Sequence, residues 1–120
     1  MRSSTIRVGL RMGIVTPVYF KDAQILSDKD IRAIFQEVLS LIENEEEKII
    51  IISFAKVSLV SAGILGKLMT LDKKLKEKGG RSGLFLCDIR PEVYVLFKVT
   101  RTSRLFKIFP TLLEALTECP

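Results

Sequence analysis

The sequence predicts a small α/β domain spanning residues 1–120, with a mostly parallel sheet of four to five strands, an N-terminal antiparallel hairpin and about four helices. Three observations carry this prediction. Lys48 to Phe54 holds an unbroken isoleucine run, and such a β-branched stretch suits a strand covered on both faces. From Ile64 the period changes: Ile64, Leu65, Leu68, Leu71 and Leu75 recur every three to four residues and make one apolar face of a helix. Along the rest of the chain extended and helical patterns alternate in the order β-β-α-β-α-β-α-β-α, which calls for right-handed crossovers and parallel strands.

Each element has its own local signal. Thr5 to Arg11 alternates Ile6, Val8 and Leu10 with polar partners, so it reads as a half-buried strand. Gly13 breaks it. Ile14 to Phe20 resumes the extended pattern, and Pro17 there argues for an edge position or a bulge. The short Arg11-Met12-Gly13 link makes the two an antiparallel hairpin. Lys21 to Leu26 reads as a loop. Ser27 is an N-cap with Asp30 three residues on, and Ile31, Ile34, Phe35, Val38, Leu41 and Ile42 form a stripe ending near Asn44. Glu45-Glu46-Glu47 reads as a solvated turn. After the central strand, Val60-Ser61-Ala62-Gly63 turns into the central helix, whose last turn carries lysines before Gly79 and Gly80 stop it. Gly83 to Asp88 is another buried strand, and Pro91 opens a short helix on Val93, Leu96 and Phe97. Leu105 to Phe109 is a short strand. Thr111 and Glu114 then form a capping box for a final helix.

Composition narrows the function classes. The chain has no histidine, which removes Ser-His-Asp and Cys-His sites and most zinc sites. Cys87 lies in an apolar run, Cys119 is next to last, and neither has metal-ligand spacing. No apolar run approaches the roughly 18 residues of a membrane span, and no secretory signal pattern opens the chain, which points to a cytoplasmic protein without a membrane partner. The net charge of +5 is uneven. Lys21 to Lys48 carries four basic residues against eight acidic, and Lys67 to Lys107 eleven basic against four. A basic half attracts phosphate, but the lysines read first as a solvated helix face. No interleaved aromatics support nucleic-acid stacking, so direct DNA binding is not expected. No paired carboxylates or activated nucleophile emerge, so an enzyme is not expected, nor a metal or cofactor.

Two stretches resemble a known family. The first is Phe54-Ala-Lys-Val-Ser-Leu-Val-Ser61-Ala-Gly-Ile-Leu65-Gly-Lys67-Leu, continuing to Gly79-Gly80. The second is Arg90-Pro-Glu-Val-Tyr-Val-Leu-Phe97, followed by Leu105 to Leu116. Together they resemble the STAS domain of bacterial anti-sigma factor antagonists, in a divergent branch with Leu-Gly-Lys-Leu after the serine turn. The resemblance implies a STAS-like fold and a regulatory, non-enzymatic partner switch. In it the antagonist docks an anti-sigma factor that is also a serine kinase, and phosphorylation at the start of the central helix ends the complex. A phosphoryl group adds nearly two negative charges at such an interface.

The family turn is Asp-Ser-Ser-Gly followed by Leu-Gly. Aligned without gaps on Leu65-Gly66, Ser61 falls on the aspartate and Ala62 on the usual phosphoacceptor. A slide of one residue puts Ser61 on the acceptor. The slide needs an inserted residue, so the ungapped alignment is preferred, and on it the acceptor position is an alanine. Ser61 reads first as an N-cap and second as the candidate phosphoacceptor. The family's glycine-x-x-aspartate before the first helix is replaced by Asp22 and Ile25, and the chain between Gly80 and Pro91 is about two residues longer than the pattern. The resemblance makes Lys21, Asp22, Ser61, Ala62, Gly63 and Lys67 the candidate partner-binding residues. Two other readings stay open. One is a phosphorylation-independent scaffold that assembles with other STAS proteins. The other is a small nucleotide or anion receptor using Lys67 and the helix start.

Overall fold

A computed structural model of the protein describes residues 6–43 and 46–118. The expected strand start at Thr5, the helix end near Asn44, Glu45 and Cys119 fall outside the described residues.

The sequence elements are β1 (Ile6–Val8), β2 (Val15–Phe20), β3 (Gln24–Ile25), α1 (Asp28–Ser40), β4 (Ile49–Ser53), β5 (Leu59–Val60), α2 (Gly63–Glu77), β6 (Gly83–Cys87), α3 (Pro91–Val99), a 3₁₀ turn (Ser103–Leu105), β7 (Lys107–Phe109) and α4 (Leu112–Glu118). Five strands form one sheet in the order β1-β2-β4-β6-β7. Only β1 runs antiparallel, paired with β2 from Ile6 opposite Phe20 to Val8 opposite Val18. The β2–β4, β4–β6 and β6–β7 pairs are parallel. The expected mostly parallel sheet with an N-terminal hairpin and four helices is therefore the observed architecture.

Why β4 is central follows from its side chains. Ile49 to Ile52 are all inaccessible to solvent, and because side chains alternate across a strand, they feed two separate layers. Ile50 and Ile52 join Val18, Phe20, Leu84 and Leu86 under α1 and α2, where Ile31, Ile34, Val38, Ile64, Leu68 and Leu71 close the main core. Ile49 and Ile51 face the other way, against Val15, Phe85 and Ala115 of α4. At the carboxyl ends of the strands the main core is aromatic. Phe54 meets Phe20 at 5.0 Å and Phe97 at 6.3 Å, both edge to face.

The capping signals hold. Ser27 is extended and its hydroxyl accepts from the Asp30 amide at 3.1 Å, and Thr111 accepts from the Glu114 amide at 3.1 Å. Gly79 and Gly80 have φ of +73° and +60°, the left-handed geometry that ends α2.

Three expectations need correction. Pro17 is not on an edge strand, because β2 lies between β1 and β4, but the bulge expected as the alternative is there, with Leu10 and Arg11 opposite Thr16 between the Gly9–Pro17 and Met12–Val15 pairs. It is tolerated since Gly9 donates to the Pro17 carbonyl at 2.8 Å, so the missing N–H also points toward Gly9, just past the end of β1. Lys21 to Leu26 is not all loop: β3 pairs in parallel with β5 as a separate two-stranded ribbon. Glu47 is not a solvated turn residue. Its Oε2 accepts from the Arg81 amide at 2.7 Å and lies 3.4 Å from Arg81 Nε. These bonds to Arg81 hold the carboxyl below its ordinary range. A Cβ on Gly80 would fall 2.5 Å from Glu47 Oε2, so a side chain there would push the Glu47 carboxylate off Arg81 besides having to adopt a left-handed φ.

Candidate functional site

The turn into α2 is built by the small ribbon. The Ser61 amide donates to the Ile25 carbonyl at 2.9 Å, which continues the β3–β5 pairing up to the helix start. The Ala23 carbonyl accepts from the amides of Ser58 at 2.8 Å and Leu59 at 3.1 Å, and from the Ser58 hydroxyl at 3.2 Å. These bonds fasten the loop carrying Lys21 and Asp22 to the segment that leads into Ser61. Residues some 40 positions apart in sequence thereby share one rim.

At the helix start itself, Ala62 has helical dihedrals and no side chain able to cap. Ser61, one position earlier, accepts from the Gly63 amide through its hydroxyl at 3.1 Å, and its carbonyl accepts from Ile64 at 3.1 Å. Ser61 thus satisfies one of the helix's free donors, the N-cap role read from the sequence. No acidic residue stands in the first turn of α2. A carboxylate reaches it from α1 instead: a Cβ on Gly63 would lie 3.4 Å from Ser61 Oγ and 3.6 Å from Asp28 Oδ1. Asp28 therefore faces the positive end of α2. Ala62 and Gly63 are exposed and Ser61 is half-buried.

The Ala23 bonds bring the Lys21–Asp22 loop to the segment that leads into Ser61, Ala62 and Gly63, and Lys21 itself lines a pocket with Ser53, Lys56 and Asp88. Lys67 lies one turn further along α2 and lines a groove of about 260 Å³ between α1 and α2, with Arg32, Gln36 and Thr70 on its walls. Sequence reading missed two apolar residues of the rim. Leu26, which follows β3, is 47% exposed, and Leu59, in β5, 48%. The signal available was an apolar pair in each of two short stretches, Ile25-Leu26 and Leu59-Val60, too short to show a helical or strand period.

Cys87 supplies no reactive group. Burial pushes its thiol up to about 12, helped by the neighbouring Asp88 charge and a hydrogen bond to Asp88 Oδ2 at 3.4 Å. It stays protonated at neutral pH and is no nucleophile. The sign of its effect on stability follows. The unfolded thiol ionises near an ordinary value of about 8.5 and the folded one does not, so its contribution is complete below that and is lost as pH rises toward 12. Urea midpoints measured from pH 7 to 10 are expected to fall less in Cys87→Ala than in wild type above about pH 8.5. Parallel curves would show that Cys87 does not contribute this pH dependence. Among the described residues no group of three His, Cys, Asp or Glu side chains is placed to hold a metal ion, and no helix is long and apolar enough to cross a membrane.

The STAS domain family model matches residues 26–115, three quarters of the chain. The chain belongs to the STAS domain family. This STAS domain is similar to the anti-sigma factor antagonist STAS domain protein of Planctomyces limnophilus, with 19% identity, a TM-score of 0.85, and coverage of 99% of this chain and 100% of that one. It is similar to the anti-sigma factor antagonist SpoIIAA in its unphosphorylated form, with 15% identity, a TM-score of 0.75 and 92% of each chain covered. It also resembles a part of a murine solute carrier 26 family anion transporter, at 16% identity and a TM-score of 0.72, where 90% of this chain covers 18% of the transporter. At these identities the likeness is one of fold, and the fold serves proteins with different roles. A comparison with curated protein sequences gave no match.

Proposed function

We propose that this STAS domain is a regulatory, non-catalytic protein-binding module of the cytoplasm that acts as an anti-sigma factor antagonist. In this reading the whole chain is one binding unit, and it docks a kinase-like anti-sigma factor through the rim of Lys21, Asp22, Leu26, Leu59, Ser61, Ala62 and Gly63. The observation that carries it is the exposed apolar pair Leu26 and Leu59, held by β3 and β5 beside the α2 start. Two exposed leucines, with Asp28 at the adjoining helix start and charged residues on the loop before β3, have the make-up of a small interface, an apolar centre with a polar rim. Lys67 and Arg32 extend the surface with positive charge along the α1–α2 groove.

A second reading has its own support. Ser61 spends its hydroxyl on the Gly63 amide, Asp28 already places a carboxylate at the helix start, and the exposed residue there is Ala62. A phosphoryl group on Ser61 would meet Asp28 at close range. That arrangement favours docking without a phosphorylation cycle, in an assembly with other STAS proteins.

Affinity capture with the wild-type chain, beside a Ser61→Asp, Lys67→Glu double variant, tests both readings. The antagonist reading expects a protein with a serine-kinase domain, held by wild type and lost by the variant. It also expects phosphate on Ser61 after incubation with that protein and ATP. Capture of STAS assemblies by both baits, with Ser61 unmodified, establishes the scaffold and overturns the switch.

A further inference from the structure

A second site lies at the carboxyl ends of the central strands, on the far side of the Lys21–Asp22 loop from α2. There β2, β4 and β6 end around a cavity of about 370 Å³ lined by Arg7, Tyr19, Lys21, Ser53, Lys56 and Asp88. It lies at the carboxyl ends of the parallel strands, and its volume is at the small end of the roughly 300–1,000 Å³ of ligand pockets. Its floor is fixed by long-range bonds. Ser53 is 2% exposed. Its hydroxyl donates to Asp88 Oδ2 at 2.8 Å and accepts from the Ala55 amide at 3.3 Å. The Phe54 amide donates to the Cys87 carbonyl at 3.0 Å, and Arg90 Nε donates to the Ala55 carbonyl at 3.0 Å. Together they hold Asp88 at a φ of +58°, a left-handed conformation that non-glycine residues seldom adopt outside turns and sites. Both side-chain bonds to Asp88 land on Oδ2, and among the described residues none lands on Oδ1. Arg7, Lys21 and Lys56, all solvent-exposed, share the lining with this carboxylate. Arg7 is oriented by stacking over Tyr19 at 4.5 Å, and Lys21 and Lys56 complete the lining.

We propose that this cavity binds a small phosphomonoester, its phosphoryl group among Arg7, Lys21 and Lys56 and one of its hydroxyls donating to Asp88 Oδ1. Three cations against one carboxylate select a dianion over a neutral molecule, and the carboxylate selects a ligand that also carries a donor. The acceptor, held by Ser53, favours a ligand with a donor, because such a ligand gives Asp88 Oδ1 a partner besides those already on Oδ2. The site shares Lys21 with the proposed docking rim, and Lys21 and Lys56 lie on the segments that run on into β3 and β5.

The test is an amide-shift titration of the full chain with glucose 6-phosphate and with AMP, beside inorganic phosphate, glucose and malate. At least one of the two phosphomonoesters is expected to shift Lys21, Ser53, Ala55, Lys56 and Asp88 saturably. Glucose should not, and inorganic phosphate should bind more weakly. Lys56→Glu should weaken the ester at least tenfold. Asp88→Asn, which tolerates the same backbone conformation, should weaken the ester but not inorganic phosphate. The proposal is overturned if neither ester saturates with a Kd below about 1 mM. It is equally overturned if malate competes as well as the ester, or if the shifts survive Lys56→Glu.

Discussion

Replacing Phe54 with alanine is expected to remove about 3–5 kcal/mol of folding stability, the range for deleting a buried aromatic ring. Phe54 follows the last residue of β4 and is fully buried. Its ring is the middle of an aromatic row. It packs edge to face on Phe20, which in turn meets Phe35 at 6.3 Å, and on Phe97, which meets Phe106 at 6.0 Å. That row joins β2, α1, α3 and the segment before β7, so its removal loosens four elements at once. Native domains have only about 5–15 kcal/mol in total, and the alanine variant is expected to lie near the edge of folding. Urea unfolding followed by circular dichroism measures it. Phe54→Leu, which keeps much of the volume, is expected to fold with a smaller loss. A Phe54→Ala loss below about 1 kcal/mol would mean that the site collapses around the gap, and that the row is not what orders this end of the sheet.

The second large effect is on binding. Leu59→Glu is expected to weaken partner docking by about 30-fold or more, roughly 2 kcal/mol, the threshold of an interface hot spot. The side chain is nearly half exposed, and surface changes of this kind usually stay within about 0.5 kcal/mol of wild type in stability. Loss of binding without loss of stability therefore separates a docking role from a structural one. A charge at Leu59 meets an apolar partner surface and brings a carboxylate to a rim that already holds Asp22 and Asp28. Surface plasmon resonance with the captured partner, with unfolding curves on the same sample, reads both quantities. Equal affinity for the variant and wild type would move the interface off the ribbon.

How much of this was legible in the sequence depended on distance along the chain. The isoleucine run at Ile49 to Ile52, the apolar face of α2 and the caps at Ser27 and Thr111 are local patterns, and local patterns carry their own period or spacing. The ribbon was not legible, because two-residue strands show no alternation and their pairing joins Gln24 to Leu59 across α1 and β4. Glu47 looked like one of three equivalent glutamates until the fold placed Arg81 against it, 34 residues on. Ser53 and Asp88 are 35 residues apart and read as ordinary strand ends. Pro17 was half legible: the bulge beside it was an expected setting, and the edge was not its place because a proline's tolerance in a sheet depends on which neighbour its missing donor faces. At the site, Ser61 was identified correctly as a cap, since that bond spans two residues. The company it keeps, Asp28 and the two leucines, came only from topology.

The central claim is that the ribbon and the start of α2 form the docking face. Its most direct test is amide-shift mapping of the labelled chain titrated with the captured kinase-like partner. The account predicts that the shifts and line broadening concentrate at Lys21, Asp22, Leu26, Leu59 and Ser61 to Gly63, with a weaker extension along α2 to Lys67. A footprint centred instead on α4, or on the outer face of β1, with the ribbon unmoved, would contradict it.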